Sequence, residues 1–507
     1  MAQWSFWQAA QREPDHLALV EPDGRELSAG ELLAGCNRVV HGLRARGLQA
    51  GDTVAALLPN SAAMVEVYLA CVQAGWYLVP INYHLTGDEV GYILENSESR
   101  AFVAHERFAD AALDQTISRF AVGEIPGFES YASLKEGQPE TLPEDRSPGA
   151  VMNYTAGTTG QPKGVKRAVP PIDPDTVAEM FASFQAMFGI MPADGNVHLV
   201  VSPLYHTAVL TFGSAAMHLG HTVVLMDKWT AEGTLERIEK YGVTTSHMVP
   251  TQFVRMLALP EDVREKYDVS STRVMIHSAA PCPVDVKQRM LDWWGPVIYE
   301  YYAATEGGGT LATPEDWLKR PGTVGKPWPM SEIRILDDDG QPVPAGEPGT
   351  VWIRMGDYTF EYHKDKEKTD RSWREGFFTV GDVGYLDADG FLFLNDRKAD
   401  MIISGGVNIY PAEIESQLIL HPKVADVAVF GIPNDDWGEE VKAVVQPVEG
   451  TDVSLAEELT AFARERLAGY KVPRSFDFVD ELPRDPNGKL YKRKLRDPYW
   501  AGKERAI

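Results

Sequence analysis

Cysteine is scarce in this chain. Cys36, Cys71 and Cys282 are the only three in 507 residues, and their wide spacing offers neither a disulfide framework nor a CxxC metal motif. A reducing cytoplasm is therefore the expected compartment. No apolar run reaches about 18 residues, and residues 1–16 lack a basic stretch followed by an apolar core, so neither a membrane span nor an export signal is expected. Positive charge is also short. The 48 Lys and Arg against 73 Asp and Glu give a formal charge of -25, which disfavours nucleic acid or an anionic membrane as partner. Internal repeats, low-complexity stretches and coiled-coil heptads are missing as well.

What is present is a large apolar fraction, 44%, in a chain too long to organise around one core, so two or three domains are expected. Residues 53–58, 77–81 and 101–104 read as buried strands, with helical patterns over 61–74 and 86–95 between them. This alternation builds a parallel sheet with helices on its faces. The same grammar returns with strand-like runs at 198–201, 223–226, 246–249 and 274–277, which predicts a second doubly wound α/β region. After Pro321 short runs at 332–336 and 350–354, broken by Asp- and Gly-rich turns, predict a β-rich subdomain. From about residue 396 a tail of alternating helix and strand patterns is long enough for a separate small domain.

Within this frame a few short strings combine residues suited to phosphate chemistry. The segment Tyr154-Thr155-Ala156-Gly157-Thr158-Thr159-Gly160-Gln161-Pro162-Lys163-Gly164 offers hydroxyls, backbone N–H groups free of Cβ crowding, and a lysine. It is not a Walker A loop, because no Gly-Lys is followed by Ser or Thr. Further along stand Pro203-Leu204-Tyr205-His206, Ser278-Ala279-Ala280-Pro281, Tyr302-Ala303-Ala304-Thr305-Glu306 and Thr379-Val380-Gly381-Asp382. Last come the string from Asp396 through Arg397 and Ala399 to Ser404-Gly405-Gly406, and Pro483-Arg484-Asp485-Pro486-Asn487-Gly488-Lys489-Leu490.

In this order and at these distances the strings resemble the motifs of the adenylate-forming superfamily, which holds acyl-CoA synthetases, peptide-synthetase adenylation domains and luciferases. The overall style is most similar to bacterial fatty-acid and alicyclic or steroid-type acid CoA ligases, and the resemblance covers nearly the whole chain. It implies a large N-terminal adenylation domain, 1–395, made of two doubly wound α/β subdomains and a β-rich subdomain. A small, mobile α+β C-terminal domain, 396–507, would swing about a hinge near Ala399, where Asp or Lys is more usual.

The resemblance also distributes roles. Thr155, Ala156, Gly157, Thr158, Thr159, Gly160 and Lys163 would hold the ATP phosphates, with Ala156 standing where serine is common. His206 would lie beside the reacting carboxylate. Ser278, Ala279 and Ala280 would pack on adenine together with the strand Glu300, Tyr301, Tyr302 and Ala303. Thr305 would meet the α-phosphate and Glu306 would hold Mg2+, a hard cation suited to a carboxylate. Asp382 and Arg397 would bind ribose. Ser404, Gly405 and Gly406 would border the pantetheine channel of coenzyme A, and Lys489 would be the catalytic lysine of the adenylation step. The acyl pocket would be lined by Val209, Leu210, Met248, Val249, His277 and Gly307 with its two following glycines, which suits a bulky hydrophobic acid, whether fatty, alicyclic or polycyclic, or aromatic.

The activity implied is AMP-forming acid–thiol ligation. The carboxylic acid and ATP give acyl-AMP and pyrophosphate, and coenzyme A then displaces AMP. Transfer to a carrier-protein thiol, an enzyme performing mainly one half-reaction, and a non-catalytic nucleotide-binding protein stay open as alternatives, as does a homodimer.

Overall fold

A computed structural model describes residues 4–112, 117–155, 162–357, 359–448, 455–484 and 490–501. The first expected α/β region forms a six-stranded sheet in the order Glu129–Ser130, Ser118–Val122, Ser99–His105, Thr53–Leu57, Tyr77–Pro80 and Ala150–Val151. All its pairings are parallel. Every residue of Thr53–Leu57 is buried, as expected for a strand covered by helices on both faces. The covering helices start where the sequence supplies caps. Ser61 accepts from Met64 N at the start of Ala62–Ala74, and Thr86 and Glu89 form a capping box for Gly87–Asn96.

The second region is a nine-stranded sheet whose interior runs Ile298–Ala304, Val274–His277, Thr245–Met248, Val197–Val200, Thr222–Leu225 and Leu17–Val20, all parallel. Its edges, Lys326–Pro327 beside Gly307–Ala312 and Glu26–Ser28, are antiparallel. Leu17–Val20 is the surprise, because a strand from the first twenty residues completes the sheet built mainly from residues 197–312. Its partner, Thr222–Leu225, lies some 200 positions away, and a four-residue apolar run carries no mark of which sheet it joins. Asn60 ties the two sheets together. Its side-chain amide donates to Ser202 O at 2.9 Å and Met226 O at 2.7 Å, and its carbonyl oxygen accepts from Leu204 N at 2.8 Å.

The β-rich region is present as an antiparallel sheet of Ser331–Leu336, Gly349–Met355, Asp382–Leu386, Leu392–Arg397 and two short strands at 373–374 and 377–378. A further sheet is made wholly from the tail: Val407–Ile409, Ile402–Ser404, Gly438–Pro447, Val424–Asn434 and Ser475–Phe478, packed on helices Pro411–Leu418 and Leu455–Arg466. Among the described residues no helix is long and apolar enough to cross a membrane.

Candidate active site

A cleft of about 2650 Å³ opens at the carboxyl ends of the parallel strands, where ligands of open α/β sheets bind. Its walls come from both large sheets, the β-rich sheet and the tail. Strand Ile298–Ala304 carries Glu300, Tyr301, Tyr302 and Ala303 to this wall, and its pairing with Gly307–Ala312 slips between Ala303 and Ala304. Such a bulge re-aims the residues that follow. Thr305, Glu306 and Gly307 thereby reach the cleft.

The polar end of the cleft is built from long-range pairs. The Tyr302 hydroxyl donates to Asp382 Oδ2 at 2.6 Å, and burial together with that carboxylate pushes the phenol well above its usual range. Asp382 and Arg397 face each other across neighbouring strands, Oδ1 to Nε 3.4 Å. Glu306 is buried, and its Oε1 accepts from the Tyr362 hydroxyl at 2.7 Å. Two cations not foreseen from motifs also line this end. Arg167 donates to Thr305 O, and Lys368 sits 3.8 Å from the centre of the Tyr362 ring, its pKa lowered by burial and by Lys163 nearby. An aromatic ring, a carboxylate–arginine pair, a hard carboxylate and two cations form a donor set that fits a nucleotide, its phosphates and Mg2+.

Beneath this wall Glu300 meets Lys287 Nζ at 2.7 Å, with His277 Nε2 at 3.4 Å. Burial pushes the Glu300 carboxyl up, but the Lys287 ammonium and His277 outweigh it and hold it at about 2. His277 is itself kept below its usual pKa by burial. Ser278, Ala279 and Ala280 form the turn beyond, at the cleft, with Ala279 in a left-handed conformation (φ 73) that a non-glycine residue adopts at a cost.

His206 caps helix Thr207–His218 at the cleft, its ring 4.3 Å from that of Tyr205. The helix turns Thr207, Ala208, Thr211 and Phe212 to the cleft. Val209 and Leu210 fall on its other face and enter the core with Val200 and Leu204, so the expected lining is corrected by helical periodicity. Met248 and His277 likewise do not border the cleft, because they lie in the packing around Phe253, and Val249, buried at the start of helix Pro250–Leu257, does not border it either. Gly307 does border it. The apolar walls come instead from Phe181, Phe184, Met187, Phe188, Phe212, Tyr301 and Trp328. Their spacing at 181, 184 and 188 signals one helical face, yet nothing local tells which cavity that face borders.

Lys163 forms an ion pair with Asp365 and does not line the cleft. Ala156, Gly157, Thr158, Thr159 and Gly160 lie outside the described residues, and Thr155 is described only by its backbone, in strand Asn153–Thr155. Lys489 also lies outside them. On either side of it Arg484, anchored on Asp426 at 2.8 Å, and Leu490 line the cleft, as does Lys492, paired with Glu415 at 2.9 Å. Ser404, Gly405 and Gly406 do not. They form the exposed turn of hairpin 402–409, where Gly405 (φ 60) donates to Trp437 O at 2.8 Å, and a Cβ there would meet the indole at 2.6 Å. Ala399 sits in the short turn Lys398–Asp400, where its carbonyl accepts from Arg496 at 3.3 Å.

Comparison with known proteins places the chain. The model of the AMP-binding enzyme family matches residues 6–362, and that of the AMP-binding enzyme C-terminal domain matches 413–489. A feruloyl-CoA synthase of Amycolatopsis sp is 34% identical over 491 residues, 96% of each chain. A fatty acid–acyl-carrier-protein ligase of Streptomyces coeruleorubidus is 33% identical over 98% of this chain and 96% of its own. The o-succinylbenzoate CoA synthetase of Bacillus subtilis, solved with its acyl-adenylate intermediate OSB-AMP, superposes with a TM-score of 0.83 at 30% identity, covering 98% of this chain and 99% of that one.

Proposed function

The chain belongs to the AMP-binding enzyme family, and from that premise we propose that it is an ATP-dependent acyl-CoA ligase acting on a bulky hydrophobic carboxylic acid. The observation that carries the reading is that one cleft joins a nucleotide-type donor set to an aromatic chamber, with His206 on the same wall. In this reading Tyr302 stacks on adenine, Asp382 and Arg397 hold ribose, and Glu306 would hold Mg2+, which would supply charge to offset the phosphates.

The acid and the α-phosphate repel each other, and in-line displacement gathers further charge on the oxygens between them. Arg167 and Lys368 face that charge from the cleft wall, and Lys489 is assigned to it by the resemblance, with its described flanks at the cleft supporting the assignment. Expulsion of pyrophosphate leaves a mixed anhydride, which a thiolate attacks more readily than a carboxylate. Gly405 and Gly406 would serve that second step only after the residues from 396 onward reorient about the turn at Ala399, since the hairpin here stands outside the cleft. This supports reading 1–395 and 396–507 as separate units, with the arrangement described being the one for adenylation.

The test is pyrophosphate release across a panel of acids, followed by thioester mass with and without coenzyme A. Acid-dependent pyrophosphate and a CoA-dependent thioester are expected, and release without any dependence on acid would overturn the reading. A carrier-protein thiol as acceptor is the second reading, favoured by the 33% identity to the carrier-protein ligase. Replacing coenzyme A with a phosphopantetheinyl carrier protein separates the two. The free cysteines Cys36, Cys71 and Cys282 suit a reducing cytoplasm as the site of action.

A further inference from the structure

The acyl end of the cleft has a shape and a polar mark that narrow its substrate. Its rings meet one another largely edge to face: Phe184 and Phe212 with centroids 5.2 Å apart, Phe188 and Phe212 5.5 Å, Phe188 and Tyr301 6.3 Å. Phe212 and Tyr301 lie 5.6 Å apart, and Tyr301 and Trp328 6.4 Å. The room for Trp328 comes from Gly309, where a Cβ would fall 2.9 Å from the indole.

Phe188, Phe212, Tyr301 and the His247 behind them are 2%, 3%, 8% and 2% exposed, so this wall of the chamber is a tightly packed, buried set of rings. Walls of ring faces and edges favour a flat aromatic guest over a flexible chain, because aromatic pairs gain from offset or edge contacts beyond the area they bury.

At this apolar floor stands one polar pair. The Tyr301 hydroxyl lies 3.1 Å from His247 Nε2, with the Ser278 hydroxyl beside it. Burial lowers His247 to about 3, so the imidazole is neutral at physiological pH, and its ring stacks 5.1 Å from Phe212. A neutral imidazole can donate to or accept from the phenol, which leaves Tyr301 either a proton to give or a lone pair to offer to a guest. A hydrogen-bonding substituent on the guest would satisfy that capacity, and an all-hydrocarbon chain would leave it unused.

We infer that the acid taken by this site is a planar aryl or arylalkenyl carboxylic acid with a hydrogen-bonding ring substituent, which the buried Tyr301–His247 pair recognises. This rests on the ligase reading above and deepens it. The test measures kcat/KM for pyrophosphate release with cinnamate, para-hydroxycinnamate and dodecanoate. The wild-type chain is expected to prefer para-hydroxycinnamate. Tyr301→Phe should lower kcat/KM for para-hydroxycinnamate roughly tenfold more than for cinnamate, the effect of losing one hydrogen bond at a buried polar site. Phe212→Leu, which keeps the volume apolar, should lower both aryl acids by roughly three- to tenfold relative to dodecanoate, and circular-dichroism melts check that both variants are folded.

Preference for dodecanoate, or equal effects of Tyr301→Phe on the two aryl acids, overturns this inference while the ligase reading stands. No pyrophosphate with any acid overturns both.

Discussion

The two ends of the cleft are built on different principles. The nucleotide end is a set of polar side chains, each held by a named partner: Tyr302 on Asp382, Asp382 beside Arg397, Glu306 on Tyr362. The acyl end is a shell of mutually packed rings with a single polar pair at its floor. Directional, charge-assisted contacts concentrate binding energy in few residues, whereas dispersion and apolar burial spread it over many. Single substitutions should therefore act sharply at the first end and softly at the second.

The largest effect is expected where the two ends share a support. Lys287→Met removes the cation that offsets the burial of Glu300, and the stability to urea at pH 7 should fall by about 3–5 kcal/mol, with both ends failing together. Replacing both residues by apolar ones should recover much of that loss. The pH dependence follows from the Glu300 shift, from the usual 4.5 down to about 2. A depressed carboxyl stabilises the fold fully above the unfolded value, and that contribution is lost as pH falls from about 4.5 towards 2. Acid unfolding of Lys287→Met should lack this step, and an unchanged acid limb would remove the pair from the account.

Next in size is Lys489→Ala. Acyl-AMP formation should drop roughly a hundred- to thousand-fold, about 3–4 kcal/mol, while conversion of supplied acyl-AMP to the thioester is retained. Equal loss of both steps would sink the assignment of Lys489 to adenylation. Asp382→Ala follows, with a cost of about 1.5–3 kcal/mol for a charged hydrogen-bonding group, read as a rise in KM for ATP far larger than any rise in KM for the acid. A rise in both by the same factor would mean that the two ends are not separable. The smallest effect belongs to the acyl end. Phe184→Leu should cost about 0.5–1.5 kcal/mol, seen in KM for the acid alone. A loss as sharp as that of Asp382→Ala would break the contrast.

The same division separates what sequence reading reaches from what it does not. The nucleotide end is carried by contiguous strings such as Tyr302 to Glu306, in which a strand, a bulge and a turn place neighbouring residues together. Its two extra cations, Arg167 and Lys368, belong to no string and come from separate elements. At the acyl end Val209 and Leu210 were expected to line the chamber, but the helix presents Thr207, Ala208, Thr211 and Phe212 instead. A 3.6-residue period tells which side chains share a face and not which neighbour that face meets. For the fold, strands at 53–57, 77–80, 197–200, 222–225, 245–248 and 274–277 and the β-rich stretch follow the sequence pattern closely.

The sequence by itself determined the class of the fold, the α/β alternation of its two main regions and the family, because apolar periodicity, caps and short motifs act over a few residues. Only the tertiary structure decided that Leu17–Val20 joins the second sheet, that Glu300 rests on Lys287, and that Phe181, Phe188, Tyr301 and Trp328 line one chamber. These are choices among distant partners of similar local character, and they are settled by packing and by the burial of charge, which no stretch of chain specifies alone.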